Sequence, residues 1–175
     1  MITRTQARPT KPAVKVSTQS QSRMLSRLGK SQAVKTDLIV AFWEFAHAVS
    51  SSAEISRLNT IKIGFEPAFV LFARSALRLS AADTESIFNL SMSTLERRLR
   101  QKQNLDPVAS ERLDRIAVIA SLADEVFEDQ TKAADWLSMP NMALGNEPPI
   151  RLCETEIGAT QVRRVLHAIE WGNVV

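Results

Sequence analysis

The chain has 175 residues, enough for one globular domain or two small ones. Its hydrophobic content of 45% is ordinary for a folded protein, and no apolar run approaches the ~20 residues that cross a bilayer. The single cysteine excludes an internal disulfide and suits a reducing compartment, so we predict a cytoplasmic protein. One cysteine and two distant histidines also exclude a structural zinc site.

The net charge of +3 hides an asymmetry between the start of the chain and the rest. Residues 1–36 contain eight Lys and Arg and no acid, which leaves 14 Lys and Arg against 19 Asp and Glu elsewhere. We predict that residues 1–35 are a basic, disordered arm. Such an arm attracts phosphate backbones, although a solvated tail or a transit peptide has the same composition.

Three helical segments are predicted before residue 80. Asp37 caps the first, which carries a regular apolar stripe. Residues 53–58 form a second, short segment, and residues 61–63 alternate like a strand but are too few to indicate a sheet. Pro67 suits the start of a helix over 68–79.

Residues 80–100 have the layout of a helix-turn-helix. Ser80 or Asp83 caps a short helix, Asn89 can adopt the left-handed conformation of a tight turn, and a second helix follows from Met92 or Ser93. In this motif the second helix lies in the major groove of DNA.

The second helix of this motif carries hydroxyls at its start and cations further on. Hydroxyls and free N–H groups can bind phosphates, and arginine can pair with guanine. The predicted DNA-binding residues are Ser91, Ser93, Thr94, Arg97, Arg98, Arg100 and Lys102. The alternative is an ordinary solvated helix face.

The remaining elements are also predicted as helices. Asp106-Pro107 begins a long helix that ends near Glu128, and Thr131 caps the next one. Met139-Pro140 ends that helix, because proline has no N–H and disfavours the helical conformation before it. Gly145-Asn146 is predicted to form a turn.

The last helix is predicted to start at a Thr155 cap and to stop at Gly172. Its apolar face follows the helical period, with Ile157, Val162, Val165, Leu166 and Ile169. From residue 103 onward there are six Lys and Arg against twelve Asp and Glu, and an acidic surface suits a basic protein partner better than DNA.

No catalytic or metal-binding pattern is recognisable. The sequence has no glycine-rich phosphate loop, HExxH, CxxC or defensible Ser-His-Asp arrangement, so we predict no enzyme, cofactor or metal. His47 is expected in the core or at an interface and His167 on the surface. Cys153 is expected as a small core residue, and Met139 and Met142 as gap-fillers.

The stretch from Trp136 to Gly172 resembles the C-terminal toxin-binding domain of Xre/MbcA/ParS-type antitoxins. The resemblance keeps its spacing through Trp136-Leu137, residues 140–145, Pro149, Leu152, Thr155-Glu156, Gly158-Ala159, Val162, Leu166, Ile169-Glu170 and Gly172. Asn146, Cys153 and Ala168 depart from the family's usual glycine, leucine and arginine. The helix and turn pattern alone favours a loop and helix that merely close a helical core, whereas the ordered set of matches favours the toxin-binding domain.

The helix-turn-helix is similar to the Xre-type modules that accompany this domain. Leu90-Ser91, Thr94-Leu95 and Arg97-Arg98-Leu99 carry the similarity. Asn89 replaces the usual turn glycine. Glu85 stands where a small residue usually lets the two helices approach, so we expect it to loosen the pair and to weaken DNA binding.

The resemblance implies an all-α antitoxin of a bacterial type II toxin–antitoxin pair. It implies a helical dimerisation and helix-turn-helix domain at 36–129 and a toxin-binding domain at 130–175. The implied partners are a RES-domain toxin that depletes NAD, operator DNA and a second copy of the chain. The predicted toxin-binding residues are Asn141, Gly145, Arg163, His167, Glu170, Trp171, Gly172, Asn173, Val174 and Val175. A DNA-binding regulator without a toxin, or an interaction scaffold without DNA binding, are the alternatives.

Overall fold

The structure is a computed structural model that describes the backbone of residues 18–172 and the side chains of residues 33–172. Within this part of the chain the only regular elements are helices, which confirms the predicted all-α class. None of these helices is apolar over a length that could cross a bilayer. The helices are α1 (Thr18–Ser50), α2 (Glu54–Ile63), α3 (Ala68–Ala76), α4 (Ala81–Phe88), α5 (Met92–Gln101), α6 (Pro107–Phe127), α7 (Gln130–Ser138), α8 (Pro149–Leu152) and α9 (Glu156–Glu170), with a 3-10 turn at Met142–Leu144.

The chain divides into two compact units, Met1–Val34 and Lys35–Val175. In the first unit, residues 18–34 are helical, so the prediction of a disordered arm is wrong for this segment. Residues 1–17 lie outside the described part of the chain. Asp37 does not cap a helix, because α1 runs through it. The sequence has no proline between residues 18 and 50, and its one glycine there costs a helix only about 1 kcal/mol.

Helix α6 is the centre of the second unit. Helices α2, α4, α7 and α9 all pack against it. Its buried positions mix large and small side chains, so neighbouring helices approach it closely on several sides, and they include Leu113, Ile116, Ala117, Ile119, Ala120 and Ala123. Trp43 of α1 is buried in this core, with its ring centroid 5.4 Å from that of Phe42.

Two arginines, the half-buried Arg57 and the buried Arg115, make ion pairs and hydrogen bonds that link α6 to neighbouring segments. Arg57 of α2 donates two hydrogen bonds to Asp114, at 3.0 and 2.5 Å. Arg115 donates to the Cys153 carbonyl at 2.9 Å and pairs with Glu111. Because these groups are largely shielded from water, removing one partner would strand a buried charge.

Side-chain caps define most helix starts. Ser80, Asp106 and Thr155 accept hydrogen bonds from the N–H groups of Asp83, Ala109 and Gly158 at 3.0 to 3.1 Å, as predicted. Helix α7 differs from the prediction, because its cap is Asp129 and not Thr131. The Asp129 carboxylate reaches two free N–H groups, those of Thr131 and Lys132, at 2.8 and 3.0 Å.

Several local predictions are wrong. Residues 61–63 form the last turn of α2 and no strand. Helix α3 stops at Ala76, three residues early, because Arg78 adopts a positive φ of 52°. Helix α8 was not predicted. Met139 and Met142 fill no gap, since both are exposed, Met142 at 92%.

Candidate functional site

The helix-turn-helix is formed by α4 and α5. Asn89 ends α4 with a φ of 50°, which is the predicted left-handed conformation. Ser91 caps α5 by accepting a hydrogen bond from the Thr94 N–H at 3.2 Å. Leu95 of α5 and Ile87 of α4 are both fully buried in the common core. This anchoring leaves the opposite side of α5 in solvent.

Glu85 does not loosen this pair of helices. Its side chain is exposed, and its Oε1 accepts a hydrogen bond from the Met92 N–H at 2.7 Å. The carboxylate therefore satisfies a free donor at the positive end of α5. The buried residue beside it is Thr84, whose hydroxyl donates to the Ser80 carbonyl at 2.7 Å. The expected steric conflict is thus absent from this turn.

The predicted DNA-binding residues fall into two groups. Ser91, Ser93 and Thr94 share a hydroxyl network at the start of α5, with oxygen–oxygen distances of 3.1 and 2.9 Å from Ser91. Further along, three cations are exposed and make no ion pair within the described residues, namely Arg97, Arg100 and Lys102. The two groups follow one another along a single helix.

Arg98 is held differently from these cations. Its side chain is 21% exposed and donates to the Asn104 carbonyl at 2.5 Å and to Asp106 Oδ2 at 3.2 Å. Its Nε is buried and has no hydrogen-bond partner. Since Asp106 is the cap of α6, Arg98 braces the end of α5 against the start of α6. The guanidinium groups of α5 that make no ion pair within the described residues are therefore those of Arg97 and Arg100.

A compact turn precedes the last two helices. The Asn141 Oδ1 accepts a hydrogen bond from the Ala143 N–H at 2.9 Å, and Asn141 pairs with Glu147 across the turn. Gly145 and Asn146 have φ values of 70° and 65°, as predicted for this pair. Asn141 therefore shapes the turn, and Gly145 lies at its exposed tip. Beside the turn is an open groove of about 470 Å³, lined by Ala143, Leu144, Gly145, Gln161, Arg164 and Val165.

The inner face of α9 is tightly packed. Val162 and Leu166 are fully buried, as predicted. At Gly158 an added Cβ would lie only 2.0 Å from the Leu152 carbonyl oxygen, so only glycine lets α8 and α9 approach this closely. Ile157 was expected on this face, but it points to solvent and is 78% exposed.

The other predicted toxin-binding residues lie at or near the surface. Arg163 pairs with Glu156 and donates to the Thr160 hydroxyl at 3.0 Å. His167 Nδ1 lies 3.2 Å from Glu170 Oε2. Arg163 and His167 therefore each find polar partners on α9 itself.

The end of α9 leads into the last residues of the chain. Trp171 caps the helix with its side chain 77% exposed, and Gly172 turns the backbone with a φ of 67°. The remaining predicted residues, Asn173, Val174 and Val175, lie outside the described part of the chain. The exposed indole is therefore the last large side chain that the structure describes.

Helix α9 also has a second, outer face that was not predicted from the sequence. Ile157, Gln161, Arg164, Ala168 and Trp171 recur every three or four residues, opposite the buried face. Arg164 is exposed and makes no ion pair within the described residues. The missed signal was two large apolar residues, Ile157 and Trp171, on the polar side of an amphipathic helix.

His47 and Cys153, the remaining candidates from the sequence, have structural roles. His47 lies between Asp124, at 2.9 Å, and the hydroxyl of Ser121, at 3.2 Å, which is an interface position between α1 and α6. Ser121 is buried, so its hydroxyl could not attack a substrate. Burial raises the pKa of the Cys153 thiol to about 12 and confirms it as a core residue.

Comparison with known proteins identifies both halves of this arrangement. The Antitoxin Xre-like helix-turn-helix domain matches residues 64–118, and the Antitoxin Xre/MbcA/ParS C-terminal toxin-binding domain matches residues 122–172. Their ranges meet within α6, so the predicted division at residue 129 stays a prediction.

Two similar relatives are both described as Antitoxin Xre. The protein of Pseudomonas putida is 35% identical over 83 residues, which cover 47% of this chain and 52% of the relative. The chain therefore aligns with about half the length of that protein. The protein of Yersinia enterocolitica is 28% identical over 116 residues, 66% of this chain and 78% of the relative. The chain therefore carries, in this order, an Antitoxin Xre-like helix-turn-helix domain and an Antitoxin Xre/MbcA/ParS C-terminal toxin-binding domain, and it is similar to the Xre-like antitoxins.

Proposed function

We propose that this protein binds and sterically blocks a cognate toxin through the end of its C-terminal domain. The toxin is a RES-domain protein that depletes NAD, as the family resemblance implies. In the same proposal, α5 binds operator DNA and represses the operon that encodes the pair. The location is the bacterial cytoplasm, where both partners are made.

The exposed end of α9 is the observation that supports the proposed toxin binding. A tryptophan that is 77% exposed costs free energy in water unless a partner covers it, and tryptophan is enriched among residues that dominate binding energy. Helix α9 holds it firmly, because Thr155 caps the helix and Val162 and Leu166 anchor it. A rigid helix that presents an aromatic side chain loses little entropy on binding.

The three unpaired cations of α5 support DNA binding. Arg97, Arg100 and Lys102 can neutralise phosphates or reach guanine, and the Ser91 hydroxyl lies at the positive end of the same helix. A homodimer would present two copies of α5 to a palindromic site. Helix α2 offers a surface for this dimer, since it has no buried residue and exposes Ile55, Leu58 and Ile63.

Co-expression with the proposed RES-domain toxin, to be sought in the neighbouring gene, tests the first role. The full chain should suppress growth arrest, and truncation after Gly172 should restore it, because the last three residues would no longer obstruct the toxin. The truncated protein should unfold at the same temperature as the full chain. Equal protection by both proteins would contradict a role for the chain end.

Electrophoretic shifts with the upstream DNA, at several stated salt concentrations, test the second role. Arg97→Ala should weaken binding and reduce its salt dependence, whereas Lys132→Ala, on the distant helix α7, should not. DNA binding without toxin binding would favour a regulator that has no toxin partner. No shift at any salt concentration would favour an interaction scaffold.

A further inference from the structure

Helix α9 carries a continuous outer stripe, which we define as Ile157, Gln161, Arg164, Ala168 and Trp171. These residues span fourteen positions, or about 21 Å along the helix axis. The stripe is apolar at both ends, where Ile157 and Trp171 are 78% and 77% exposed, and cationic in the middle. A helix of this kind on a monomer surface normally turns such residues inward.

The outer stripe carries no acidic residue, although the C-terminal half of the chain is acidic overall. The nearest carboxylates are already engaged elsewhere, since Glu156 pairs with Arg163 and with Arg115, and Glu170 contacts His167. Arg164 therefore faces solvent without a counter-charge among the described residues. It also borders the open groove beside the Met142–Leu144 turn.

We propose that the outer stripe is the surface that docks the toxin, and that Arg164 binds a carboxylate of the toxin. The inference rests on the toxin partner of the proposed function. Ile157 and Trp171 would be covered by apolar side chains of the toxin, so that water is excluded around the ion pair. In that setting a guanidinium and a carboxylate form a short, bidentate, charge-assisted pair.

The charge pattern of the outer stripe suits the toxin better than a nucleic acid. A phosphate backbone would meet only one cation on the stripe, between two exposed apolar side chains, whereas nucleic-acid binding needs several cations. A protein that offers one acidic side chain between apolar neighbours matches the order apolar, cationic, apolar. The open groove next to Arg164 leaves room for such a side chain, with Gln161 beside it to donate a further hydrogen bond.

The test measures binding of the purified protein to the proposed RES-domain toxin, which is to be sought in the gene next to this one. Arg164→Glu should raise the Kd at least 30-fold, because it replaces an attraction by a repulsion in a partly dry contact. Ile157→Ser should raise it about tenfold. The matched controls are Lys132→Glu on α7 and Val108→Ser on α6, which change exposed residues of similar chemistry away from the stripe and should leave the Kd within about threefold.

The outcomes separate this inference from the proposed function. If the unmodified antitoxin binds the toxin and Arg164→Glu binds it within threefold as tightly, the outer stripe is not the docking surface. If the unmodified antitoxin does not bind the toxin at all, the proposed function itself fails. Arg164→Glu should keep the melting temperature of the parent protein, since the guanidinium makes no internal ion pair in the described residues, and a large drop would overturn its assignment to binding.

Discussion

Two adjacent arginine pairs, Arg97-Arg98 in α5 and Arg163-Arg164 in α9, show how each binding helix divides its cations. In both pairs one guanidinium makes an ion pair within the protein, and the other makes none within the described residues. Arg98 braces α5 against α6, and Arg163 pairs with Glu156. Neighbouring residues on a helix point about 100° apart. When one arginine turns toward the body of the protein, the next is therefore left for a partner.

Helices α5 and α9 differ in the contacts that hold them to the rest of the protein. Helix α5 buries a single residue, Leu95, and depends on polar contacts at both ends, from Glu85 and through Arg98. Helix α9 buries five residues and meets α8 through bare backbone at Gly158. Polar contacts near water contribute less than close packing. We therefore expect α9 to be sensitive to added volume and α5 to lost charge.

The largest effect is expected from Gly158→Ala. The new methyl group would lie 2.0 Å from the Leu152 carbonyl oxygen, which belongs to the backbone and cannot rotate away. Overpacking of this kind costs about 3 kcal/mol, since α8 and α9 must move apart. Urea unfolding would measure the loss in the free energy of unfolding.

Gly145→Ala is the matched control for this substitution. Nothing lies within 4 Å of its added Cβ, but its φ of 70° is unfavourable for alanine. The cost should be about 1 kcal/mol, from backbone strain alone. Equal losses for the two variants would show that the contact between α8 and α9 is looser than the structure indicates.

A second, smaller effect should separate the two arginines of α5. Arg98→Ala should lower the free energy of unfolding by about 1.5 kcal/mol, because it removes hydrogen bonds from a charged donor to Asn104 and Asp106. Arg97→Ala should leave the free energy of unfolding unchanged and weaken DNA binding by about 1 to 3 kcal/mol. Urea titrations and electrophoretic shifts on both variants measure the two quantities.

An affinity loss for Arg98→Ala without a stability loss would contradict this prediction. If Arg98→Ala unfolds like the parent protein and binds DNA less tightly, its side chain leaves the brace to reach DNA. The double variant should combine one stability loss with one affinity loss, because the two groups share no partner.

The helices themselves could largely be predicted from the sequence. Caps such as Ser80, Asp106 and Thr155, and turn formers such as Asn89, act through contacts within a few residues, so their patterns are local. The family resemblance added what local patterns could not, namely that one helical pair belongs to a helix-turn-helix and the last helix to a toxin-binding domain.

Which side chains make contacts within the protein, and which stay exposed for a partner, could not be predicted in the same way. The spacing of Arg97-Arg98 and Arg163-Arg164 is identical, yet the first is free in one pair and the second in the other. The difference depends on Asp106 and Glu156, which lie eight and seven residues away from the arginines they hold. Glu85 was misjudged for a similar reason, since its partner is a backbone N–H across the turn.

The smallest expected effect concerns one of the contacts between the helix-turn-helix and the C-terminal helices, the ion pair of Asp83 in α4 with Arg151 in α8. The Ser80 hydroxyl bonds the Asp83 carboxylate at 2.6 Å, and the Arg151 guanidinium donates to it at 2.9 Å. Both partners lower the pKa of Asp83, the Ser80 hydrogen bond most. Because the pair is partly exposed, Asp83→Asn should cost only about 0.5 kcal/mol at pH 6.

The pH dependence of this loss identifies its origin. A carboxylate whose pKa is lower in the folded state stabilises the fold above its unfolded pKa of about 3.9. That contribution disappears as the pH falls through the folded pKa, since protonated Asp83 no longer attracts Arg151. Urea titrations of the parent and of Asp83→Asn should therefore differ at pH 6, and the difference should shrink as the pH falls below about 3.9 and vanish only below the lowered pKa of folded Asp83. A difference that is the same at pH 3 and pH 6 would mean that the charge of Asp83 does not hold α4 to α8, and that this contact depends instead on the Ser86–Glu154 hydrogen bond at 2.7 Å and on the packing of α4 and α9 against α6.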